Sequence, residues 1–188
     1  MPRITPPVTV SDKFRELVVY VAERSADDPR FGAVKLNKIL YYSDFGAYRL
    51  LGHSISGDDY QNLTEGPAPK HLLGARNSLL ADNSVTMEAQ PYFNKQQIRL
   101  KANRRPKEGV LSASETNIVD QVIDALWEYN GKQVTDLSHD EFGWKMTELN
   151  ENISYFTAWV SADPLTAEQI DKAFEVAERH GLATPARG

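Results

Sequence analysis

The sequence predicts an α+β, mainly α fold: a single compact helical domain with a small antiparallel β-hairpin packed on it. Through most of the chain apolar residues recur at three- and four-residue steps, the period of a helix with one buried face. Only between Val85 and Ala102 does the step fall to two, the period of a strand. With 188 residues, 41% of them hydrophobic and 25% charged, the chain can bury one core without staples.

Residues 1–10 hold three prolines and are expected as an extended arm. Ser11 and Asp12 offer an N-cap and a first-turn acid to a first helix over about 12–25, with Phe14, Leu17, Val18 and Val21 on one face. Asp27-Asp28-Pro29 breaks it. A second helix runs from about Val34 to Leu51 and stops at Gly52. Tyr41, Tyr42, Phe45 and Tyr48 widen its apolar stripe beyond one seam, so it is expected as a central helix packed on several sides. Residues 55–65 read as a loop with one short strand. Gly66-Pro67 places a proline where a helix over 68–81 can begin. Val85, Met87 and Ala89 then alternate with polar residues, as do Ile98, Leu100 and Ala102, around a turn near Asn94-Lys95. That hairpin has one apolar face, which must lie on the helices. Ser112 and Glu115 form a capping box for a helix that buries Ile118, Val119, Val122, Ile123, Leu126 and Trp127 and closes near Gly131. Short helices are expected over 134–137 and 141–147, then an irregular aromatic stretch over 148–164. A last helix is capped by Thr166 and Gln169 and stopped by Gly181.

Composition narrows function. The chain has no cysteine, which removes disulfides, thiolate metal sites and cysteine nucleophiles, and fits the cytoplasm. No signal peptide or membrane span is read in it. Net charge is −5, against the positive surface that phosphate binding favours. The basic run Lys95, Arg99, Lys101, Arg104, Arg105 and Lys107 reads as a solvated hairpin and loop, with a nucleic-acid surface as the alternative. His53, His71, His139 and His180 are scattered without ligand spacing, and no nucleophile elbow, phosphate loop or dinucleotide fingerprint occurs. No metal, cofactor or catalytic residue is assigned.

Two clusters stand out. On the second helix, Lys35, Lys38 and Tyr42 lie along one side beside the apolar face. Either the lysine stems are buried with their amines on carboxylates, or the tyrosines pack and the lysines are solvated. Later, Leu137-Ser138-His139 and Trp144-Lys145 place a histidine and a large anchor in one turn. His139 can hold that turn through a backbone carbonyl, or carry a proton in a cleft.

These clusters, in this order and with Gly66-Pro67 between them, resemble the Panacea domain of SocA-like antitoxins. Lys35-Leu36-x-Lys38-x-Leu40-Tyr41-Tyr42 is similar to the family's opening signature, Leu111-Ser112-x-x-Glu115 to the start of its later helix, and Leu137-Ser138-His139 with Trp144 to its closing Leu-Thr-His…Pro-Trp pattern. Ser138 stands where threonine is usual, Gly143 where proline often precedes the tryptophan, and Ile39 where leucine is usual. The resemblance covers about 31–145. It places a Panacea-like domain at 11–165, between the arm at 1–10 and a C-terminal helix and tail at 166–188. It implies a bacterial or phage-associated antitoxin that neutralises a cognate protein toxin by direct contact, with no established catalytic residues. The aromatic candidates for that contact are Tyr60, Tyr92, Phe93, Tyr155, Phe156 and Trp159. Rival readings are a nucleic-acid-binding protein using residues 95–107 and a small hydrolase in which Lys38, Tyr42 and His139 converge.

Overall fold

The computed structural model describes residues 11–92, 95–160 and Asp171. The expected N-terminal arm, the contact candidate Phe93 and, Asp171 apart, the last helix lie outside the described residues. The fold is α+β and mainly α, as the periodicities predict.

Helix α1 (Asp12–Arg24) starts where expected, the Ser11 side chain accepting the amide of Phe14. It buries Phe14, Leu17, Val18 and Val21. Helix α2 (Ala33–Leu51) ends at Gly52, whose φ of 81° only glycine adopts without strain. It is enclosed by α1, by the later helices α4 (Ala113–Leu126) and α5 (Gly131–His139), and by parts of both sheets. The aromatic width of α2 therefore meant what it suggested. One side of it enters the main core with Leu17, Phe31, Val119 and Val134. The other meets a smaller cluster of Tyr41, Phe45, Tyr60 and Ile153.

Beyond α2 the chain departs from expectation. Residues 68–81 are not one helix. Ala68–Pro69 form strand β2, which pairs antiparallel with β1 (Tyr60–Gln61), and α3 starts only at Leu72 and ends at Ala81. Ala68 precedes a proline, and the ring disfavours the helical region for the residue before it. Pro69, with no N–H, suits β2 because that strand lies at the edge of the order β2-β1-β5, where β5 is Asn152–Ile153. Asp58 then accepts the His71 amide (3.0 Å), which fixes where α3 begins.

The hairpin forms from β3 (Val85–Tyr92) and β4 (Lys95–Ala102), with Val85 opposite Ala102, Met87 opposite Leu100 and Ala89 opposite Ile98. The apolar face is the one expected, but only part of it lies on the helices. Val85 and Leu100 are buried, whereas Met87 and Ile98 are 44% and 41% exposed. The capping box of Ser112 and Glu115 opens α4. Gly131 begins α5 rather than closing α4, because Asn130 and Gln133 form a second capping box. Helix α6 (Phe142–Lys145) follows, and after β5 a 3₁₀ helix spans Tyr155–Trp159.

Buried cations tie these elements together by capping main-chain carbonyls. Arg99 donates to the carbonyls of Ser25 and Ala26 beyond the end of α1 (3.2 and 2.7 Å). Lys35 donates to the Asp28 carboxylate (2.5 Å) and to the Trp127 carbonyl beyond α4 (2.9 Å). A cation is favoured at a helix C-terminus because unpaired carbonyls gather there. The basic run is largely engaged inside the molecule. Arg104 forks onto buried Glu16 (2.7 Å to each oxygen), Lys107 lends Glu16 its amide (2.9 Å), and Lys101 pairs with Glu88 (3.0 Å). Burial alone would raise the Glu16 pKa, but Arg104 and the Lys107 amide hold it below the usual value.

Candidate functional site

Both lysines of the α2 cluster are 1% exposed, so they are not solvated helix-edge residues. Nor does Lys38 meet a carboxylate. Its ammonium donates to the carbonyls of Glu65 (2.5 Å) and Pro67 (3.0 Å), one on each side of Gly66. Gly66 has φ +87°, and a Cβ there would collide with the Lys38 ammonium and the Ser138 hydroxyl. Ser138 sits within α5, donating to the Thr135 carbonyl (2.8 Å). Lys38, Gly66-Pro67 and Ser138, distant in sequence, thus meet at one buried junction.

The second half of this junction is built around Trp144. Its indole N–H donates to the Leu63 carbonyl (3.2 Å), and the Asn62 amide returns bonds to the carbonyls of Trp144 (2.8 Å) and Thr147 (2.7 Å). His139 stacks on the indole, centroids 3.9 Å apart with 17° between planes. It holds the turn by stacking, not through the backbone carbonyl expected for it. Its Nε2 is buried without a hydrogen bond. Tyr42 lies beside Glu141, whose pKa burial raises above the usual carboxyl range.

Asp44, which the sequence reading passed over, organises the loop between α2 and β1. One carboxylate oxygen accepts the amides of Ile55 and Ser56 (both 2.8 Å), and the other accepts the Tyr60 hydroxyl (2.7 Å) and the Ser56 hydroxyl. Burial pushes its pKa up, against the pull of those donors. The signal was available: an aspartate three residues after Tyr41 falls on the apolar stripe, where an unpaired charge is not tolerated. Tyr60 is consequently no contact residue. It is fully buried among Tyr41, Phe45 and Tyr155.

The other aromatic candidates divide. Tyr92 and Tyr155 are half-buried, the latter donating to the Asp58 carbonyl (2.6 Å) and stacking on Tyr48 at 5.3 Å. Phe156 and Trp159 are 71% and 60% exposed. They stand three apart in a 3₁₀ helix, where residues at that spacing eclipse, so they present one face. Tyr48 supports Phe156 edge-on at 5.9 Å.

Desolvation lowers the Lys38 pKa from 10.5 to about 8, with the Glu65 charge pulling weakly the other way. Between those two values the unfolded chain binds more protons than the folded one, so this lysine makes stability rise with pH across that window. Below about pH 8 both states carry the charge and the contribution is flat. A ¹³Cε titration of Lys38 is expected to show a midpoint near 8. A midpoint at the ordinary lysine value would mean that water reaches the ammonium.

The family model for the antitoxin SocA-like, Panacea domain matches residues 36–145, more than half of the chain. The chain belongs to this family. No curated protein and no solved structure matches it. The matched span holds Lys38, Gly66, Ser138, His139 and Trp144, so the buried junction lies inside the matched part of the chain. Lys35 lies one residue before the span, and the 3₁₀ helix with Phe156 and Trp159 lies beyond it. No helix among the described residues is long and apolar enough to cross a membrane. Nor, among those residues, does any group of three or more His, Asp or Glu side chains gather as a metal site.

Proposed function

We propose that this Panacea domain is a cytoplasmic antitoxin that binds a separately encoded protein toxin and neutralises it stoichiometrically. One observation carries this reading beyond family membership: the charged motif side chains, Lys35 and Lys38, are engaged with internal carbonyls and a buried carboxylate. A proton-transfer site needs its groups within reach of a substrate. Motif residues used this way instead support a rigid body whose exterior does the work. The pairing of Arg104, Lys107 and Lys101 with Glu16 and Glu88 likewise weakens the nucleic-acid alternative.

The contact surface proposed for the toxin centres on Phe156 and Trp159. Exposed aromatic side chains on a supported turn are the type that anchors an interface, and truncating such an anchor usually weakens binding severalfold to a hundredfold or more. The pair also lies outside the family span, as a surface fitted to one particular toxin would. Co-expression with the neighbouring gene's product is the test. The protein is expected to restore growth, and the Phe156→Ala/Trp159→Ala double variant, folded by circular dichroism, is expected to bind at least tenfold more weakly. No rescue by the unmodified protein would remove the antitoxin reading. Unchanged affinity in the variant would move the contact surface elsewhere.

A further inference from the structure

The apolar face of the hairpin is longer than the body it packs on. Its base is covered: Val85 and Leu100 are buried, and Ala102 packs against the core. Its outer half is bare, with Met87, Ala89 and Ile98 open to solvent on one face of the ladder. Facing it across a notch stand α3 and the start of α2. The notch, about 20 Å³ in volume, is lined by Leu36, Arg76, Met87, Ile98 and Leu100, and Leu73, 59% exposed, precedes Arg76 by three residues on the same face of α3.

Arg76 makes this notch more than an uncovered apolar face. Its Nε is buried and has no hydrogen-bond partner, and the side chain forms no ion pair among the described residues. Arg99 and Arg104, by contrast, are bonded to carbonyls and to a carboxylate. A guanidinium carries donors in a planar fork that matches a carboxylate, and a buried N–H without an acceptor is costly. An apolar seat beside an unanswered arginine selects an apolar side chain beside an acid.

We propose that the exposed apolar face around this notch docks a segment of a protein partner in which a large apolar residue adjoins a glutamate or aspartate. The apolar side chain lies over the exposed Met87, Ile98 and Leu73, and the carboxylate closes on Arg76. As a second contact point for the toxin this extends the antitoxin reading and rests on it, but the recognition chemistry can be measured without the toxin.

The probe is a pair of peptides, Ac-Leu-Glu-Leu-Glu-Phe-NH₂ and its glutamine counterpart, titrated into the full chain and followed by NMR. The Arg76 Nε–Hε signal and the Met87 and Ile98 methyls are expected to shift saturably with the acidic peptide. The glutamine peptide is expected to bind at least tenfold more weakly, and Arg76→Gln to erase that difference. Ile98→Glu, at an exposed position that leaves the core intact, is expected to abolish binding of the acidic peptide. Equal response to both peptides, or no response in the notch, overturns the proposal. The two readings fail separately. Notch shifts without toxin rescue would leave the docking site and remove the antitoxin, and rescue without notch shifts would do the reverse.

Discussion

Replacing Asp44 by alanine is expected to cost about 4 kcal/mol of folding stability, with a fall in melting temperature of roughly 8–16 °C for a chain of this size. The reason is what the carboxylate leaves behind. The amides of Ile55 and Ser56 are fixed by the loop and cannot turn to another acceptor, and a buried donor without a partner costs about 1–3 kcal/mol. The Tyr60 hydroxyl loses its acceptor inside a fully buried aromatic cluster and adds a third such term. Since β1 begins at Tyr60 and pairs with both β2 and β5, loosening this loop also loosens the small sheet. Asp44→Asn keeps one acceptor oxygen but turns an amide toward the remaining donors, and is expected to fall between. A thermal melt showing a loss under 1 kcal/mol for the alanine variant would mean that water replaces the carboxylate freely.

Asp28→Ala is the second large effect. Asp28 and Lys35 are each 1% exposed and 2.5 Å apart, so removing the acid strands a buried ammonium; such losses run about 3–5 kcal/mol. Asp28 also accepts the Arg30 amide (2.8 Å), which shapes the turn into α2. Replacing both members with apolar residues, Asp28→Leu with Lys35→Met, is expected to recover most of the loss, because taking two charges out of water offsets much of their attraction. Denaturant melts of the two single variants and the double variant give the coupling directly. A double variant as unstable as the sum of the singles would show that the pair does not act as a unit.

The helices were legible because their signals are local. Ser11, Gly52 and the Ser112–Glu115 box each mark a boundary within a few residues, and the boundaries fall there. The two hairpin strands and their apolar face followed from alternation, whereas the register, with Lys95 already paired to Tyr92, did not. Residues 66–71 misled because a proline after glycine is an ordinary helix opening, while the second proline, which bars Ala68 from the helical region, carried the deciding information. The buried polar network was the least visible part. Nothing in the spacing of Lys35 and Lys38 distinguishes a surface lysine from one that caps carbonyls far along the chain. The partner of Lys38 is main chain, which leaves no trace in sequence. Tyr60 was misplaced for the same reason: its burial depends on Asp44 and on Tyr155, 95 positions further on. Membership in the Panacea family covers residues 36–145 without saying which of them face inward.

The antitoxin proposal has these buried residues build a rigid inhibitor and perform no chemistry. Its most direct test is a titration of the purified toxin with this protein, reading residual toxin activity against molar ratio and time. A straight fall to zero at a fixed whole-number ratio, complete on mixing and reversed when the two are separated, is the predicted result. Progressive loss of toxin activity at a small fraction of one equivalent, persisting after separation, would contradict the account and make the domain an enzyme.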